Sequence, residues 1–409
     1  MGFLRAKTYG QDKETRKKGK KHKQFRRIIS CLAKSAEGLT IPEVATIVKS
    51  SVPTVTKWIN ELLVEGSVLE CGKKETDNGR RPTIYQINPE RFYTIGVEVL
   101  RKWIHVSVVR VDLETVYEAS NRSFVLEDSL DCLAYVTQFI EDAIAASPVD
   151  KDQIIGVGIA LAGSVDSRER RSADYFRELT ISLGDWLEER LTLPVIIDND
   201  TRALSISEQA LGVAKGVDHA LVVKVSRNLG MSIISDRQLV LGARGFAGNF
   251  GHLQLGGGNR LCCCGKRGCL RTQVAGNALL EDLKEALQRD ESSVNFKVEN
   301  VAQYSYHDVL DAVLRGDALS IDLLIRQGEI LGRALGNVVN LLNPNLIVIS
   351  GEYVMVKDFF LDAVKSGMCK TGLVGSLANC TVVASNLGRF FSSRGAACMI
   401  LKEHELINY

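Results

Sequence analysis

The sequence predicts an α/β protein in which a small helical module precedes a two-lobed body. Three observations predict this fold class. Residues 1–90 show helical patterns followed by two short strands. They carry 18 Lys/Arg and 10 Asp/Glu, whereas the rest of the chain carries 33 Lys/Arg and 39 Asp/Glu, so the N-terminal module is basic and the body is acidic. From residue 93 onward, strand-like and helix-like stretches alternate, as in α/β proteins. Short β-rich stretches open each half of this body, and helices follow them.

The composition excludes several classes of protein. Of the 409 residues, 45 % are hydrophobic and 24 % are charged, close to the average for globular domains, so extensive disorder is excluded. No stretch approaches the ~18 unbroken apolar residues of a membrane span, so we expect no membrane insertion. The first thirty residues are basic where a signal peptide has its apolar core, and we therefore expect a cytoplasmic protein.

The N-terminal module begins with a basic tail at residues 1–22, to which no regular structure is assigned. A first helix is predicted from Lys23 to Lys34, where apolar residues recur at helical spacing. Thr40 and Glu43 then form a capping box that starts a second helix, and Pro42 lies in the first turn of this helix. These signals predict two short helices that pack through their apolar faces.

A third helix and a two-stranded wing complete the predicted module, which spans residues 23–88. The third helix starts at about Val52, because Pro53 is tolerated only in a first helical turn. Strands are predicted at 67–71 and 83–87. Two helices, a tight turn, a third helix and a wing are typical of a winged helix-turn-helix domain.

The exposed face of the third helix and the wing are predicted to bind DNA. Thr54 and Lys57 are the candidates for contacts to base edges in the major groove, while the wing would reach phosphates or the minor groove. A small module for protein contacts is the alternative, and a solvated basic tail remains the alternative for residues 5–27. The predicted DNA-binding residues are Ser51, Pro53, Thr54, Lys57, Asn60, Arg80 and Arg81.

The body, residues 89–409, is predicted to form two lobes of the actin-like, sugar-kinase type. Lobe one comprises residues 89–201 together with a C-terminal helix at 390–409, and lobe two comprises 202–389. Each lobe begins with an antiparallel β-meander and continues with helices. This repeated order is the reason for predicting two lobes of similar design.

Four of the ten cysteines fall in residues 262–269, which favours reduced thiols and a metal site over disulfides. Cys262, Cys264 and Cys269 with His252 offer three sulfurs and one imidazole, a set that suits tetrahedral Zn²⁺. Four protein ligands leave no open position, so the predicted zinc ion is structural. The alternative is three free thiols and an unrelated histidine.

The chain resembles the ROK family (repressors, open reading frames and kinases), and within it the repressor branch. The resemblance rests on G-F-A-G-N-F-G-H at 245–252 and C-C-C-G-K-R-G-C at 262–269. Supporting segments are A-L-A-G-S-V-D at 160–166, D-N-D-T-R-A at 198–203 and N-V-V-N-L-L-N-P at 337–344. It spans nearly the whole chain and implies a winged helix-turn-helix followed by a two-lobed ROK domain with a zinc site.

The resemblance also implies a sugar site. Asn199, Asp200 and His252 match residues of that site, whereas Asn249 and Arg271 stand where the family has glutamates. In family kinases the aspartate is the base, so Asp200 is predicted to be a vestigial base. Arg271 would pair with an acidic or phosphorylated sugar. The alternative is that Arg271 points to solvent and the pocket no longer binds a sugar.

The nucleotide side of the family site is altered at three places. Residues 98–102 replace the Asp-x-Gly-Gly-Thr turn, residues 226–228 replace Gly-Thr-Gly, and Gly351 is what remains of the adenosine-side glycines. Phosphoryl transfer depends on positioning the phosphates and a metal ion. We therefore expect neither ATP binding nor enzymatic activity.

The leading functional hypothesis is a transcriptional regulator, expected to be a repressor, of carbohydrate-metabolism genes. A homodimer, or a dimer of dimers, would bind double-stranded operator DNA, and a sugar or sugar derivative in the cleft between the lobes would weaken that binding. An active carbohydrate kinase with an appended DNA-binding head is the second hypothesis. A DNA-bound scaffold controlled by a protein partner is the third.

Overall fold

The computed structural model describes residues 13–75, 81–388 and 391–407, with side chains from residue 21 onward. These residues form two compact units. The first contains the described residues up to Ala210 together with residues 391–407, and the second contains residues 211–388. Within these ranges, the structure contains no helix that is both long enough and apolar enough to cross a bilayer.

The N-terminal head consists of three helices and a three-stranded sheet of order β1-β3-β2. The second and third helices begin where the capping threonine and Pro53 predict them. The elements are α1 (Lys13–Ala33), β1 (Leu39–Thr40), α2 (Ile41–Val48), α3 (Val52–Val64), β2 (Val68–Lys73) and β3 (Thr83–Ile87). The three helices followed by an antiparallel β2–β3 pair give the predicted winged helix-turn-helix arrangement.

Helix α1 begins ten residues earlier than predicted. The prediction of no regular structure over residues 1–22 is wrong for residues 13–22, which belong to this helix, while residues 1–12 lie outside the described residues. The apolar periodicity that marks a core-facing helix starts only at Phe25. Lysine and arginine are good helix formers, but they leave no such periodic signal.

The body of the first unit is a five-stranded sheet of order β10-β7-β4-β5-β6, in which β4, β5 and β6 are antiparallel and β7 and β10 run parallel to β4. Its strands are β4 (Tyr93–Leu100), β5 (Trp103–Arg110), β6 (Thr115–Asn121), β7 (Ile154–Leu161) and β10 (Val195–Asn199), with a small hairpin of β8 (Val165–Asp166) and β9 (Arg171–Ser172). Its helices are α4 (Leu130–Ala146), α5 (Leu183–Leu191), α6 (Asp200–Leu211) and α12 (Phe391–Glu403). Apolar residues of α4 and α5 share one core with one face of the sheet.

Helix α12 lies very close to the sheet and to α6. A Cβ atom on Gly158 would lie 1.8 Å from the carbonyl oxygen of Ala396, and one on Gly395 would lie 1.8 Å from that of Ala203. Only glycine permits such an approach of two backbones. Because α12 holds α6 in this way, the division between the units falls after Ala210, beyond the predicted lobe boundary at residues 201 and 202.

The head shares a hydrophobic cluster with the C-terminal part of the first unit. Phe25 and Leu32 of α1 belong to the same buried cluster as Leu406, which follows α12. The Ser30 hydroxyl donates a hydrogen bond of 2.8 Å to the carbonyl oxygen of Glu405. The head is therefore packed against the body of the first unit and does not stand apart from it.

The second unit repeats the sheet order of the first. Its order β13-β12-β11-β14-β15 also combines an antiparallel edge with two parallel strands. The strands are β11 (Ala220–Val225), β12 (Leu229–Ser235), β13 (Gln238–Leu239), β14 (Leu346–Ser350) and β15 (Thr381–Ala384). The helices are α7 (Gly276–Gln288), α8 (Tyr306–Leu314), α9 (Ala318–Leu342), α10 (Lys357–Cys369) and α11 (Val374–Leu377). Two units with the same sheet plan confirm the predicted fold class.

Candidate functional site

Four potential metal ligands lie together in the second unit. The donor atoms of His252, Cys262, Cys264 and Cys269 all lie within 4.8 Å of one another. Cys262 Sγ is 3.6 Å from His252 Nδ1, and Cys264 Sγ is 3.6 Å from Cys269 Sγ. With Zn–S bonds of about 2.3 Å and Zn–N bonds of about 2.0–2.1 Å, tetrahedral zinc needs separations of about 3.8 Å between sulfurs and about 3.6 Å between sulfur and nitrogen. The predicted ligand set could therefore hold a metal ion.

Short backbone contacts bring these ligands together. The N–H of Cys262 donates to the carbonyl oxygen of Lys266 (2.8 Å), and the N–H of Gly265 donates back to that of Cys262 (2.9 Å). An antiparallel bridge pairs Gln254 with Cys269, which places the last cysteine beside the chain leaving His252. Cys263 is exposed and does not belong to the cluster. The Cys-x-Cys-Gly turn thus has the compact form that the sequence predicts.

The thiols of this cluster have unequal acidities in the absence of a metal. Burial raises the pKa of Cys262 to about 12, whereas a hydrogen bond from the backbone N–H of Lys266 lowers the pKa of Cys264. Metals bind the thiolate form, so metal binding to the cluster would release protons, and the metal affinity would fall at low pH.

The candidate DNA-binding surface lies on α3. Val55, Ile59 and Leu62 are fully buried on one side of this helix. The predicted contact residues lie on the other side: Ser51, Pro53, Lys57 and Asn60 are exposed, and Thr54 is half-buried. The hydroxyls of Ser51 and Thr54 lie 2.7 Å apart, so each restrains the other at the N-terminal end of the helix. The structure therefore brings these five residues onto one accessible face.

The wing is joined to helix α2 by an ion pair that the sequence does not reveal. Lys74, just after β2, lies 2.5 Å from the Glu43 carboxylate, and its hydrogen bond is the largest cause of the lowering of the Glu43 pKa to about 2. Glu43 also accepts hydrogen bonds from the N–H and the hydroxyl of Thr40. Arg81 is exposed two residues before β3 begins, while Arg80 lies outside the described residues.

Asn199 and Asp200 lie in the first unit, where β10 ends and α6 begins. Asn199 Nδ2 donates to the carbonyl oxygen of Gly163 (2.7 Å) and to Asp200 Oδ1 (2.8 Å). Its Oδ1 accepts a hydrogen bond from the N–H of Thr201 (2.9 Å). Asn199 therefore orients the Asp200 carboxylate at the N-terminus of α6, where the helix dipole favours a negative charge.

A buried ion pair supports this junction. Asp198 and Arg202 are 6 % and 5 % exposed, and Arg202 Nε donates to Asp198 Oδ1 at 2.5 Å. Arg202 Nη2 also donates to the carbonyl oxygen of Val165 (3.0 Å), the first residue of β8. The pair therefore ties the residues on either side of Asn199 and Asp200 to the small β8–β9 hairpin.

Replacing Arg202 by methionine is expected to lower the free energy of unfolding of the first unit by about 3–5 kcal/mol, because Asp198 would remain buried without its partner. Urea denaturation followed by tryptophan fluorescence would measure the loss. The double variant Asp198→Asn with Arg202→Met is expected to recover much of it. Equal stability of the single variant and the wild type would contradict a structural role for this pair.

The other three predicted ligand-binding residues lie in the second unit. Asn249 is exposed and lies at the N-cap position of the 3-10 turn that ends at His252, but its side chain makes no capping hydrogen bond there. Arg271 follows Cys269, is half-buried, and donates a hydrogen bond to the side-chain oxygen of Asn228. Asn228 therefore holds the Arg271 side chain, and the alternative of a pocket that no longer binds a sugar stays a prediction. The five residues of the predicted sugar site are thus divided, two in the first unit and three in the second.

The turn between β11 and β12 carries large side chains where family kinases have Gly-Thr-Gly. Asn228 of this turn is bound to Arg271, and the carbonyl oxygen of Ser226 accepts a hydrogen bond of 2.8 Å from the N–H of Gly276. A Cβ atom on Gly276 would lie 2.5 Å from the ring of Tyr306, so the ring packs directly on the start of α7. The turn is closely packed by these neighbours.

These features define a class of protein: a winged helix-turn-helix head on a body of two equivalent lobes of the sugar-kinase type, with a Cys₃His cluster in the second lobe. A sequence model of the ROK family matches residues 94–403. The chain belongs to the ROK family.

Several relatives are transcriptional repressors by name. The xylose repressor of Caldicellulosiruptor bescii is 25 % identical over 363 residues, which cover 88 % of this chain and 91 % of the repressor. NagC of Escherichia coli, a DNA-binding transcriptional dual regulator, is 27 % identical over 82 % of each chain.

Among solved structures, a ROK family transcriptional regulator homologous to the Escherichia coli Mlc protein superposes with a TM-score of 0.78, at 23 % identity over 94 % of this chain and 97 % of that one. A ROK glucokinase from Streptomyces griseus matches 75 % of this chain and 98 % of its own length, with a TM-score of 0.63 and 23 % identity.

Proposed function

We propose that this protein is a cytoplasmic transcriptional repressor of carbohydrate-metabolism genes whose binding to operator DNA is controlled by a sugar or a sugar derivative. The observation that carries the proposal is the accessible polar face of α3, on a winged helix-turn-helix that is packed against the body of a ROK protein. Relatives named as repressors over more than four fifths of both chains support it.

The head would place α3 in the major groove. Thr54 and Lys57 would contact base edges there, while Ser51, Pro53 and Asn60 would lie against the groove walls. Arg81, with Arg80, would bind phosphates from the wing. A homodimer, or a dimer of dimers, would read a pseudo-palindromic operator, because two-fold symmetry of the protein matches two-fold symmetry of the site.

The effector would be held by the residues that the family resemblance indicates. The Asp200 carboxylate, oriented by Asn199, would accept hydrogen bonds from sugar hydroxyls. In the second unit, Asn249, His252 and Arg271 would supply a further set of polar contacts. Arg271 is already bound to Asn228, so an anionic group on the sugar would have to compete with that contact. To control DNA binding, the effector must have different affinities for the two states of the protein.

The metal cluster would hold a structural zinc ion. Cys262, Cys264, Cys269 and His252 would be its four protein ligands, so no position would remain for a substrate or water. Zinc would fix the loop that carries Asn249 and His252. Its contribution would therefore be to keep the predicted ligand-binding residues of the second unit in place.

The protein would not be an enzyme and would not need ATP. The side chains of Ser226 and Asn228 stand where glycines let kinases approach phosphates, and Tyr306 packs on the start of the next helix. In the first unit, the stretch from Glu98 to Lys102 likewise offers no glycine. ATP turnover by the purified protein across a panel of sugars is expected to equal that of Asp200→Asn. Turnover that depends on Asp200 would favour the kinase hypothesis instead.

Binding to promoter fragments tests the main proposal. Fluorescence anisotropy would measure the affinity for fragments from the host genome, alone and with D-xylose, N-acetylglucosamine and their phosphates. Lys57→Ala is expected to weaken specific binding about tenfold or more through a lost base contact. Lys297→Ala, at an exposed position of the second unit, is the matched control and is expected to change nothing.

Three outcomes separate the hypotheses. Specific binding that one sugar releases would support the proposal and identify the effector. Specific binding that no sugar alters would favour control by a protein partner. The absence of specific binding at every salt concentration would contradict the repressor assignment.

A further inference from the structure

Helix α1 extends far beyond the hydrophobic core of the head. It begins at Lys13, yet Phe25 is its first buried residue among those with described side chains. The residues from Lys13 to Gln24 span ~18 Å at 1.5 Å per residue. Lys21 and Lys23 are exposed on this stretch. The sequence from Lys13 to Gln24 contains no apolar side chain, so the extension adds none to the core of the winged helix-turn-helix.

The extension is strongly basic. Residues 13–23 contain seven Lys/Arg and one Glu. Three like-charged pairs occur four residues apart, a spacing at which such charges face each other and destabilise a helix: Lys13 with Lys17, Arg16 with Lys20, and Lys17 with Lys21. Gly19 weakens the helix further. A regular array of negative charges would offset these repulsions, because each cation would then lie near an anion.

The Lys21 side chain joins the extension to the helix that carries the candidate DNA-binding face. Lys21 Nζ lies 2.5 Å from the Glu61 carboxylate of α3, and it also lies 5.1 Å from the centre of the Phe25 ring. Thr54 and Lys57 belong to the same helix α3. The extension is therefore held by the element that would enter the major groove.

We propose that residues 13–23 form a second DNA-binding element, which contacts the phosphate backbone beside the half-site occupied by α3. This inference rests on the proposed DNA-binding function. Double-stranded DNA carries one charge per ~1.7 Å of its axis, so ~18 Å of helix can face several phosphates. The lysines and arginines supply charge without base readout, so the element adds affinity for any sequence and extends the footprint.

The test compares the full chain with the triple variant Lys17→Gln, Lys18→Gln, Lys20→Gln. The matched control replaces three exposed lysines of the second unit by glutamine: Lys297, Lys357 and Lys365. Affinity for an operator fragment is measured over a range of salt concentrations, with flanks of about 3 and about 15 base pairs on each side. We expect the slope of log K against log salt to become less negative by about 2–3 in the triple variant, since each phosphate contact contributes about −0.9.

The flank length and the DNA sequence sharpen the test. The difference between the wild type and the triple variant should be seen with long flanks and vanish with short ones. It should also be equal for operator and for random-sequence DNA. Amide exchange of residues 13–22 should slow when long-flank DNA is added, because binding stabilises the helix.

The outcomes distinguish this inference from the proposed function. If the wild type binds the operator and the triple variant shows the same salt slope, the second DNA-binding element does not exist. If those lysines are needed instead for binding to vesicles of phosphatidylglycerol and phosphatidylcholine, with an unchanged DNA slope, the extension binds membrane surfaces and the inference is overturned. If the wild type binds no operator at all, the proposed function itself fails.

Discussion

The variant Cys264→Ser is expected to purify without zinc, whereas the wild type should contain one zinc ion per chain. Cys264 is exposed, so the substitution removes a ligand without burying a new polar group. The three sulfurs and one imidazole form a complete tetrahedral ligand set, and removing one of the four ligands leaves a much weaker site. Metal analysis by mass spectrometry would measure the zinc content.

The neighbouring Cys263→Ser is the matched control for this experiment. Cys263 is also exposed but lies outside the cluster, so this variant should keep its zinc. Limited proteolysis should cut the segment 249–271 rapidly in Cys264→Ser and slowly in Cys263→Ser. The rest of the second unit has its own hydrophobic core and should stay folded. A Cys264→Ser variant that retains a full equivalent of zinc would contradict the four-ligand assignment.

The variant Gly158→Ala is expected to lose about 3 kcal/mol or more of unfolding free energy in the first unit. The added Cβ would meet the carbonyl oxygen of Ala396 at 1.8 Å, so α12 and the sheet would have to separate. Overpacking usually costs about 1–3 kcal/mol. A collision between a Cβ atom and a backbone carbonyl oxygen lies at the upper end of this range, because no side-chain rotation can relieve it. Urea denaturation would measure the loss.

Helix α12 also supports the head, so the same variant should lose affinity for DNA. Ile400 and Leu401 of α12 belong to the hydrophobic cluster that contains Phe25 of the head. Gly375→Ala is the control, because a Cβ atom there would meet nothing within 4 Å. Wild-type stability in Gly158→Ala would show that α12 can move away from the sheet at little cost.

The elements that the sequence predicted well are those with a local signal. Thr40 with Glu43 marks the start of α2, and Pro53 marks the start of α3, because caps and prolines act within one helical turn. The candidate metal ligands can be predicted for the same reason, since three of the four lie within the eight residues 262–269. The repeated β-meander was also visible, because each of its strands follows the previous one closely along the chain.

The features that the sequence did not predict depend on distant contacts. Arg271 binds Asn228 from 43 positions away, and Lys74 binds Glu43 from 31 positions away. The unit boundary after Ala210 depends on the close approach of Gly395 to Ala203. A single sequence gives no pattern for such pairs, since each requires the fold to be known first. The early start of α1 was missed because a charged helix has no apolar stripe.

The cluster shared by the head and the residues after α12 has a consequence for how the protein is made. Ser30 and Glu405 are hydrogen-bonded although 375 positions separate them. A ribosome synthesises the head first, but the apolar residues that cover α1 emerge only after the body has been translated. The head of a nascent or prematurely terminated chain would lack Leu406 and its neighbours. The hydrophobic packing of the head is therefore completed only at the end of translation, once the residues after α12 have been made.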